Sequence, residues 1–133
     1  MRKIAHRTTI LLAVMMLVIL GCAVRQPQVE AVAVNGEKTI DMKASSYEFQ
    51  PNNIKANQGD TILLNITNIS GTQHNFTIKD PGGKIIHSVA LIPNKTEHVK
   101  ITFSEKGTYD FYCDKPFHPT LGMKGRIEVG PGS

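Results

Sequence analysis

The stretch YDFYCDKPFHPTLGM, residues 109–123, decides how the chain is interpreted. It contains Cys113, then His118 five residues later, and Met123 five residues after that. The residues on either side are aromatic or alternate apolar with polar, which is typical of short β-strands. The stretch therefore predicts a loop between two strands that carries three potential metal ligands: a thiolate, an imidazole and a thioether.

The rest of the chain, from about residue 38, is built of short segments in which apolar and polar residues alternate. Segments 39–44, 61–68 and 97–103 are examples, and Gly, Pro and Asn residues mark turns between them. Because no long segment has a helical period, this pattern predicts an all-β fold, a β-sandwich or a barrel. We expect one domain over residues 38–130, with about seven or eight strands.

The first 22 residues are typical of an export signal for a lipoprotein. A basic start is followed by the unbroken apolar run 10–20 and then by Ile-Leu-Gly-Cys at 19–22. This tetrapeptide resembles the bacterial lipobox, in which the cysteine is acylated after cleavage. We therefore expect a signal peptide at 1–21, lipidation of Cys22 and a tether at 22–37. Plain secretion and a transmembrane anchor are the alternatives.

Charge and cysteine content narrow the possible functions. The formal charge is +4, but three of the 15 basic residues lie in the predicted signal peptide, which leaves 12 basic and 11 acidic residues. This balance gives no basis for nucleic-acid binding. The chain has two cysteines, so a lipidated Cys22 leaves Cys113 without a disulfide partner in its own chain. A disulfide between Cys22 and Cys113 is the alternative.

A second imidazole has to come from outside the loop. After the signal peptide the chain offers His74, His87 and His98. His74 opens a predicted strand directly after a Gly-containing turn, where it can face a loop of another hairpin. His98 shares a strand face with polar neighbours, which predicts a solvated position, and His87 lies in an irregular stretch that we also place at the surface. His74 is therefore the best candidate.

The expected donors are those of an electron-transfer copper site: a thiolate, two imidazoles and a weak thioether. The thiolate suits Cu(I), and imidazoles suit both oxidation states. Because Cys113 is the only cysteine of the loop, a dinuclear centre bridged by two thiolates is excluded and one copper ion per chain is expected. Read singly, Met123 is equally consistent with a core methionine and Cys113 with a buried small hydrophobe.

The stretch 107–129 resembles the C-terminal copper loop of the cupredoxins, the plastocyanin and azurin family. The segments 47–51, 58–61 and 73–76 are similar to that family's early strands and first-histidine motif. The resemblance implies a Greek-key β-sandwich with one type 1 copper. It implies the ligands His74, Cys113, His118 and axial Met123, and it implies that Asn75 braces the cysteine loop by a hydrogen bond.

This resemblance implies a blue copper protein that carries electrons, and the expected lipidation of Cys22 would tether it to a membrane on the extracytoplasmic side. Because no Ser–His–Asp order, P-loop or paired carboxylates stand out in the sequence, we do not expect an enzyme. We expect a monomer whose partners are redox proteins such as cytochromes or copper and haem oxidoreductases. Electrons would pass through His118, inside an apolar docking patch. The patch consists of Pro116, Phe117, Pro119 and Leu121. The alternative is an extracytoplasmic copper carrier, chaperone or sensor that does not cycle between oxidation states.

Overall fold

The computed structural model describes residues 27–30, 32–34 and 37–132, and these residues form strands and turns without a helix. In chain order the strands are β1 (Val29–Glu30), β2 (Val32–Val34), β3 (Glu37–Ser45), β4 (Glu48–Gln50), β5 (Asn53–Asn57), β6 (Thr61–Asn68), β7 (His74–Lys79), β8 (Ile85–Leu91), β9 (Thr96–Thr102), β10 (Gly107–Tyr112) and β11 (Lys124–Gly130). The predicted all-β class is confirmed.

The strands form two sheets. One has the order β1-β5-β11-β10-β7-β8, and the other has the order β2-β3-β6-β9 with β4 paired to β3. The pairs β1–β5, β5–β11 and β3–β6 are parallel, and the other pairs are antiparallel. The predicted sandwich is therefore confirmed. The described residues hold eleven strands, more than expected, because strands of two or three residues such as β1, β2 and β4 are too short to show alternation.

The core lies between the sheets, and strand alternation explains which side chains enter it. In β6, Ile62, Leu64 and Ile66 are fully buried, whereas the residues between them are only half-buried. Asn68 occupies the last inward position of the same strand and is also fully buried. A polar side chain at a core position needs hydrogen-bond partners, because an unpaired buried amide is costly.

Three aromatic rings anchor the strands that lead to the predicted ligands. Phe49, Phe76 and Phe111 are fully buried, with ring centroids 5.3 to 5.8 Å apart. Phe76 lies two residues after His74, and Phe111 lies two residues before Cys113. Each buried ring stabilises the fold by about 1.5–3 kcal/mol, so both ligand-bearing strand ends are anchored in the aromatic core.

The register between β7 and β10 positions the predicted site. The antiparallel ladder pairs Phe111 with Ile78 and Tyr112 with Thr77. Extending this register of β7 and β10 by one residue places Cys113 opposite Phe76. The loop after Cys113 then passes beside the start of β7. His74, which opens β7, is thereby brought next to the cysteine loop although it lies far from it in sequence.

Strands β1 and β2 lie within residues 22–37, the segment expected to be a tether, and they pair with β5 and β3 respectively. Among the described residues the first strand pairing is at Val29, because even short extended segments can add to an open sheet edge. The predicted signal peptide and Cys22 lie outside the described residues. Among the residues that are described, no helix has the length and apolar character needed to cross a membrane.

Candidate metal centre

Three of the predicted ligands converge at one end of the sandwich. The Nδ1 atoms of His74 and His118 lie 3.2 Å apart, and the Sγ atom of Cys113 lies 3.4 Å from Nδ1 of His118. All three donor atoms lie within 4.8 Å of one another. The group of His74, Cys113 and His118 is called the ligand cluster below.

His74 enters the cluster from the first position of β7 and is 1% exposed. Its Nε2 atom lies 2.9 Å from Ser70 Oγ and 3.3 Å from Thr72 Oγ1, so Nδ1 is the ring nitrogen that faces the cluster. Burial, followed by the nearby charges of His118 and Lys115, lowers the pKa of His74 below its ordinary value. The lowered pKa favours the neutral ring, which is the form that can give a lone pair to a metal.

Cys113 follows directly after β10 and is fully buried. Its backbone N–H donates to the carbonyl of Met123 at 3.0 Å, which closes the loop at its base. The backbone N–H of the next residue, Asp114, donates to the side-chain oxygen of Asn75 at 2.7 Å. The thiol is thus held between two strand ends. Because Asn75 bonds the backbone of residue 114, this hydrogen bond does not depend on which side chain stands there.

His118 lies in the loop and is half-buried. Backbone hydrogen bonds fold the loop into tight turns, including His118 N–H to Lys115 at 3.2 Å and Met123 N–H to His118 at 2.9 Å. Gly122 between them has φ = +115°, a backbone conformation that side chains disfavour. These turns aim the His118 ring at the cluster and leave part of it at the surface.

Met123 is fully buried and directly precedes β11, the strand that leaves the loop. Its carbonyl accepts from Cys113 and its N–H donates to His118, so its backbone is fixed to two members of the ligand cluster. A thioether is a weak, soft donor that suits an axial position on copper. The structure therefore places Met123 beside the cluster, and its role as a ligand remains a prediction.

The apolar residues expected around His118 are largely exposed. Phe117 is 77% exposed and Leu121 is 57% exposed, while Pro116 is exposed and Pro119 is half-buried. Phe117 has φ = +68°, an unusual value for a bulky residue, and this directs its ring outward. These four residues form the rim of the site at the molecular surface.

Tyr47 is a site neighbour that sequence reasoning missed. Its ring meets the His118 ring edge-on, with centroids 5.1 Å apart, and it is 43% exposed. It lies in the turn between β3 and β4 with φ = +69°. An aromatic residue at a turn is a weak signal for a site, and only the packing of this turn against the loop identifies it.

The remaining histidines stay outside the ligand cluster, and for His98 the alternation of its strand indicated this. His98 is exposed on β9 and its Nδ1 atom pairs with Asn65 Oδ1 at 2.7 Å. His87 is half-buried on β8, opposite Ile78. Cys113 is a free cysteine among the described residues, and a disulfide with Cys22 is not tested because Cys22 lies outside them.

The donor set fits copper rather than a hard cation. One thiol and two imidazole nitrogens point at a common volume, and no carboxylate joins them in the described part of the chain. Ca²⁺ and Mg²⁺ prefer oxygen donors, whereas sulfur and imidazole nitrogen suit copper. Cys113 and His74 are buried, so a bound ion would be largely shielded from water.

Comparison with known proteins agrees with this geometry. The family model described as Cupredoxin-like domain matches residues 9–129. The chain is 32% identical over 92 residues to a chloroplastic plastocyanin of Fritillaria agrestis, covering 63% of this chain but only 53% of that protein. It is 30% identical over 87 residues to plastocyanin of Daucus carota, covering 61% of this chain and 86% of that protein. A reduced auracyanin from Roseiflexus castenholzii superposes with a TM-score of 0.61 at 25% identity, covering 70% and 97% of the two chains.

Proposed function

Because the chain belongs to the cupredoxin-like family, we propose that it is an electron carrier with one copper ion held by His74, Cys113, His118 and Met123. The observation that supports this most directly is the ligand cluster itself, three donor atoms within 4.8 Å of one another at the end of a rigid sandwich. The similarity to plastocyanins and to an auracyanin adds support.

When bound, copper would supply a one-electron couple between Cu(II) and Cu(I). The residues of this chain hold the donors nearly fixed, because His74 begins one strand of the core sheet and Cys113 directly follows the neighbouring strand. A site that changes little between two oxidation states needs little rearrangement when an electron moves. Four protein donors would also leave no vacant position for a substrate, so we propose a carrier and not an enzyme.

The route into the site passes through His118, the half-buried member of the cluster. Phe117 and Leu121 are exposed beside it, and Tyr47 extends the same apolar rim. A small apolar patch with one redox-active group at its centre suits brief contacts, since weak electron-transfer complexes bury little surface. We propose that redox proteins such as cytochromes or copper and haem oxidoreductases dock here, on a monomeric carrier.

The location of the carrier follows from the N-terminal sequence. A lipid on Cys22 would attach the domain to a membrane surface without spanning it, which places it outside the cytoplasm. Among the described residues the first strand pairing is at Val29, seven residues after Cys22. The lipidated site would therefore be about seven residues from the folded domain, a span of at most about 25 Å.

A visible absorption spectrum during titration with Cu(II) tests the copper site. A chain that begins just after Cys22 should turn intensely blue at one equivalent of copper, and Cys113→Ser should lose the band because it loses the thiolate. A folded protein without this colour would contradict the proposal.

A second measurement separates an electron carrier from a copper carrier. An electron carrier should give a reversible one-electron wave in voltammetry and keep its metal in both states. A protein that releases Cu(I) readily to a competing chelator, with no reversible wave, would instead favour the copper carrier, chaperone or sensor.

A further inference from the structure

A buried asparagine organises the turn that precedes His74. Asn68 is fully buried at the end of β6, and both protons of its side-chain amide are used: Nδ2 donates to the carbonyls of Thr72 and Leu91, each at 2.8 Å. Its Oδ1 accepts from the backbone N–H of Ser70 at 3.0 Å. Because this last partner is necessarily a donor and the first two are acceptors, the orientation of the amide is fixed.

Ser70 connects this amide to His74. The Ser70 hydroxyl lies 2.8 Å from Asn68 Oδ1 and 3.0 Å from the carbonyl of Thr72, and both of these atoms only accept hydrogen bonds. The same hydroxyl oxygen lies 2.9 Å from His74 Nε2. The single hydroxyl proton is therefore directed towards an oxygen acceptor, and a lone pair of Ser70 Oγ faces the imidazole.

This arrangement has a consequence for the tautomer of His74. An imidazole nitrogen that faces a lone pair is favoured in its N–H form, so Nε2 carries the proton. The other nitrogen, Nδ1, then has a free lone pair and points to the Nδ1 atom of His118, 3.2 Å away. The chain of hydrogen bonds runs from His74 through Ser70 to Asn68, and each donor in it has an acceptor.

We propose that Ser70, held by Asn68, is a positioning residue that fixes the Nε2–H tautomer of His74 and aims its Nδ1 atom at the metal position before a metal arrives. The inference rests on the proposed copper site for its purpose, but the tautomer is a property of the metal-free chain. Thr72 Oγ1, at 3.3 Å from Nε2, is a weaker second partner. Outer partners of this kind orient a ligand histidine and commonly change metal affinity when they are removed.

The test compares the metal-free wild type with Ser70→Ala by long-range ¹H–¹⁵N NMR of the histidine rings, above the pH at which His74 ionises. The wild type should show His74 mainly as the Nε2–H form, and Ser70→Ala should show the two ring nitrogens shifted towards an average of both tautomers. Ser70→Thr keeps a hydroxyl and should retain the wild-type pattern. Thr61→Ala is the control, because its hydroxyl pairs with Thr102 at 2.8 Å at the opposite end of β6 from Asn68.

Copper affinity gives the second readout. Ser70→Ala should bind copper at least about tenfold more weakly than the wild type, and Thr61→Ala should not. An unchanged tautomer in folded Ser70→Ala would overturn the inference, as would an unchanged copper affinity. If Ser70→Ala does not fold, Ser70→Gly removes the same hydroxyl. A wild type with the Nε2–H form that binds no copper would refute the proposed function and leave the tautomer assignment intact.

Discussion

The side-chain oxygen of Asn75 accepts a hydrogen bond from the backbone N–H of Asp114 at 2.7 Å. Asn75 directly follows the ligand candidate His74, and Asp114 directly follows Cys113. The two strand ends that carry these ligands are therefore linked at the position next to each ligand. This link fixes the separation of an imidazole and a thiol that are 39 residues apart in the chain.

Asn75→Ala should loosen the ligand cluster without unfolding the protein. The exposed Asp114 N–H can turn to water, so the free energy of unfolding should fall by only about 1 kcal/mol, while copper affinity falls about tenfold. Chemical denaturation and a copper competition titration measure the two effects. Asn65→Ala is the control, because its amide bonds Asp41 and His98 on the outer face of β6. Equal losses of copper affinity in both variants would contradict this prediction.

Gly125→Ala should destabilise the fold through Phe111. A Cβ atom at Gly125 would collide with the Phe111 ring and with the carbonyl oxygen of Asn52. Displacing a core ring in this way costs about 1–3 kcal/mol, to be measured by denaturant unfolding. Gly130→Ala on the same strand is the control, because its Cβ would meet its nearest neighbours at an ordinary 3.9 Å. The prediction is wrong if the two variants unfold at the same denaturant concentration.

Asp60 should make stability depend on acid pH. Burial by itself raises its pKa, but the hydrogen bond and charge of Lys38 and a 2.9 Å hydrogen bond from the Asn57 N–H outweigh burial, so the pKa is lowered in the folded state. The unfolded chain then binds the proton more readily than the folded chain. The stabilisation is complete above the unfolded pKa of about 3.9 and is lost as the pH falls through the folded value.

Asp60→Asn should therefore lower the free energy of unfolding by about 1 kcal/mol at pH 7. This difference between the variant and the wild type should shrink as the pH falls below about 4. Denaturant unfolding at a series of pH values measures this. Asp41→Asn is the control, because it also removes one carboxylate, but from the exposed face of β3. If the difference in the free energy of unfolding stays constant from neutral to acid pH, the ion pair with Lys38 is not the source of the pH dependence.

Leu121→Asp should slow electron transfer to a protein partner while leaving the copper site intact. Leu121 is 57% exposed in the rim beside His118, and a carboxylate there would have to be desolvated on docking. We expect the rate with a c-type cytochrome to fall about tenfold, which corresponds to about 1.4 kcal/mol. Stopped-flow absorption measures the rate, and an unchanged visible spectrum shows that the copper site is intact.

Ile85→Asp is the matched control for Leu121→Asp. Ile85 is 52% exposed but lies at the end of β8 opposite to Leu91, the residue that pairs with His74. Its replacement should leave the rate unchanged. Similar rates in the two variants would place the docking surface elsewhere.

Cys22→Ser should abolish lipid attachment. Expressed with its signal in a bacterium, the full chain should incorporate labelled palmitate, and Cys22→Ser should not. Cys113→Ser is the control, because it removes the other cysteine of the chain and should still be labelled. Labelling that disappears only with Cys113→Ser, or that is absent from the wild type, would refute the lipoprotein interpretation.

The sequence by itself determined the fold class and the family, and it named His74, Cys113, His118 and Met123 as the candidate ligands. Alternating short segments identify strands because each strand buries one face, and the burial of Ile62, Leu64 and Ile66 follows that alternation. Cys113 and His118 lie within six residues of each other, so the loop that holds them is visible locally. The resemblance to cupredoxins rests on this loop and is confirmed by the family match.

The sequence named His74 as the best of three candidate histidines, and only the tertiary structure shows it beside the loop. His74 reaches Cys113 because of the register between β7 and β10, and a register depends on which strands pair, not on any one strand's sequence. Tyr47 and Ser70 touch the ligand histidines from turns that carry no pattern of their own. Local alternation and spacing are properties of neighbouring residues, whereas these contacts are set by the packing of two sheets around one core.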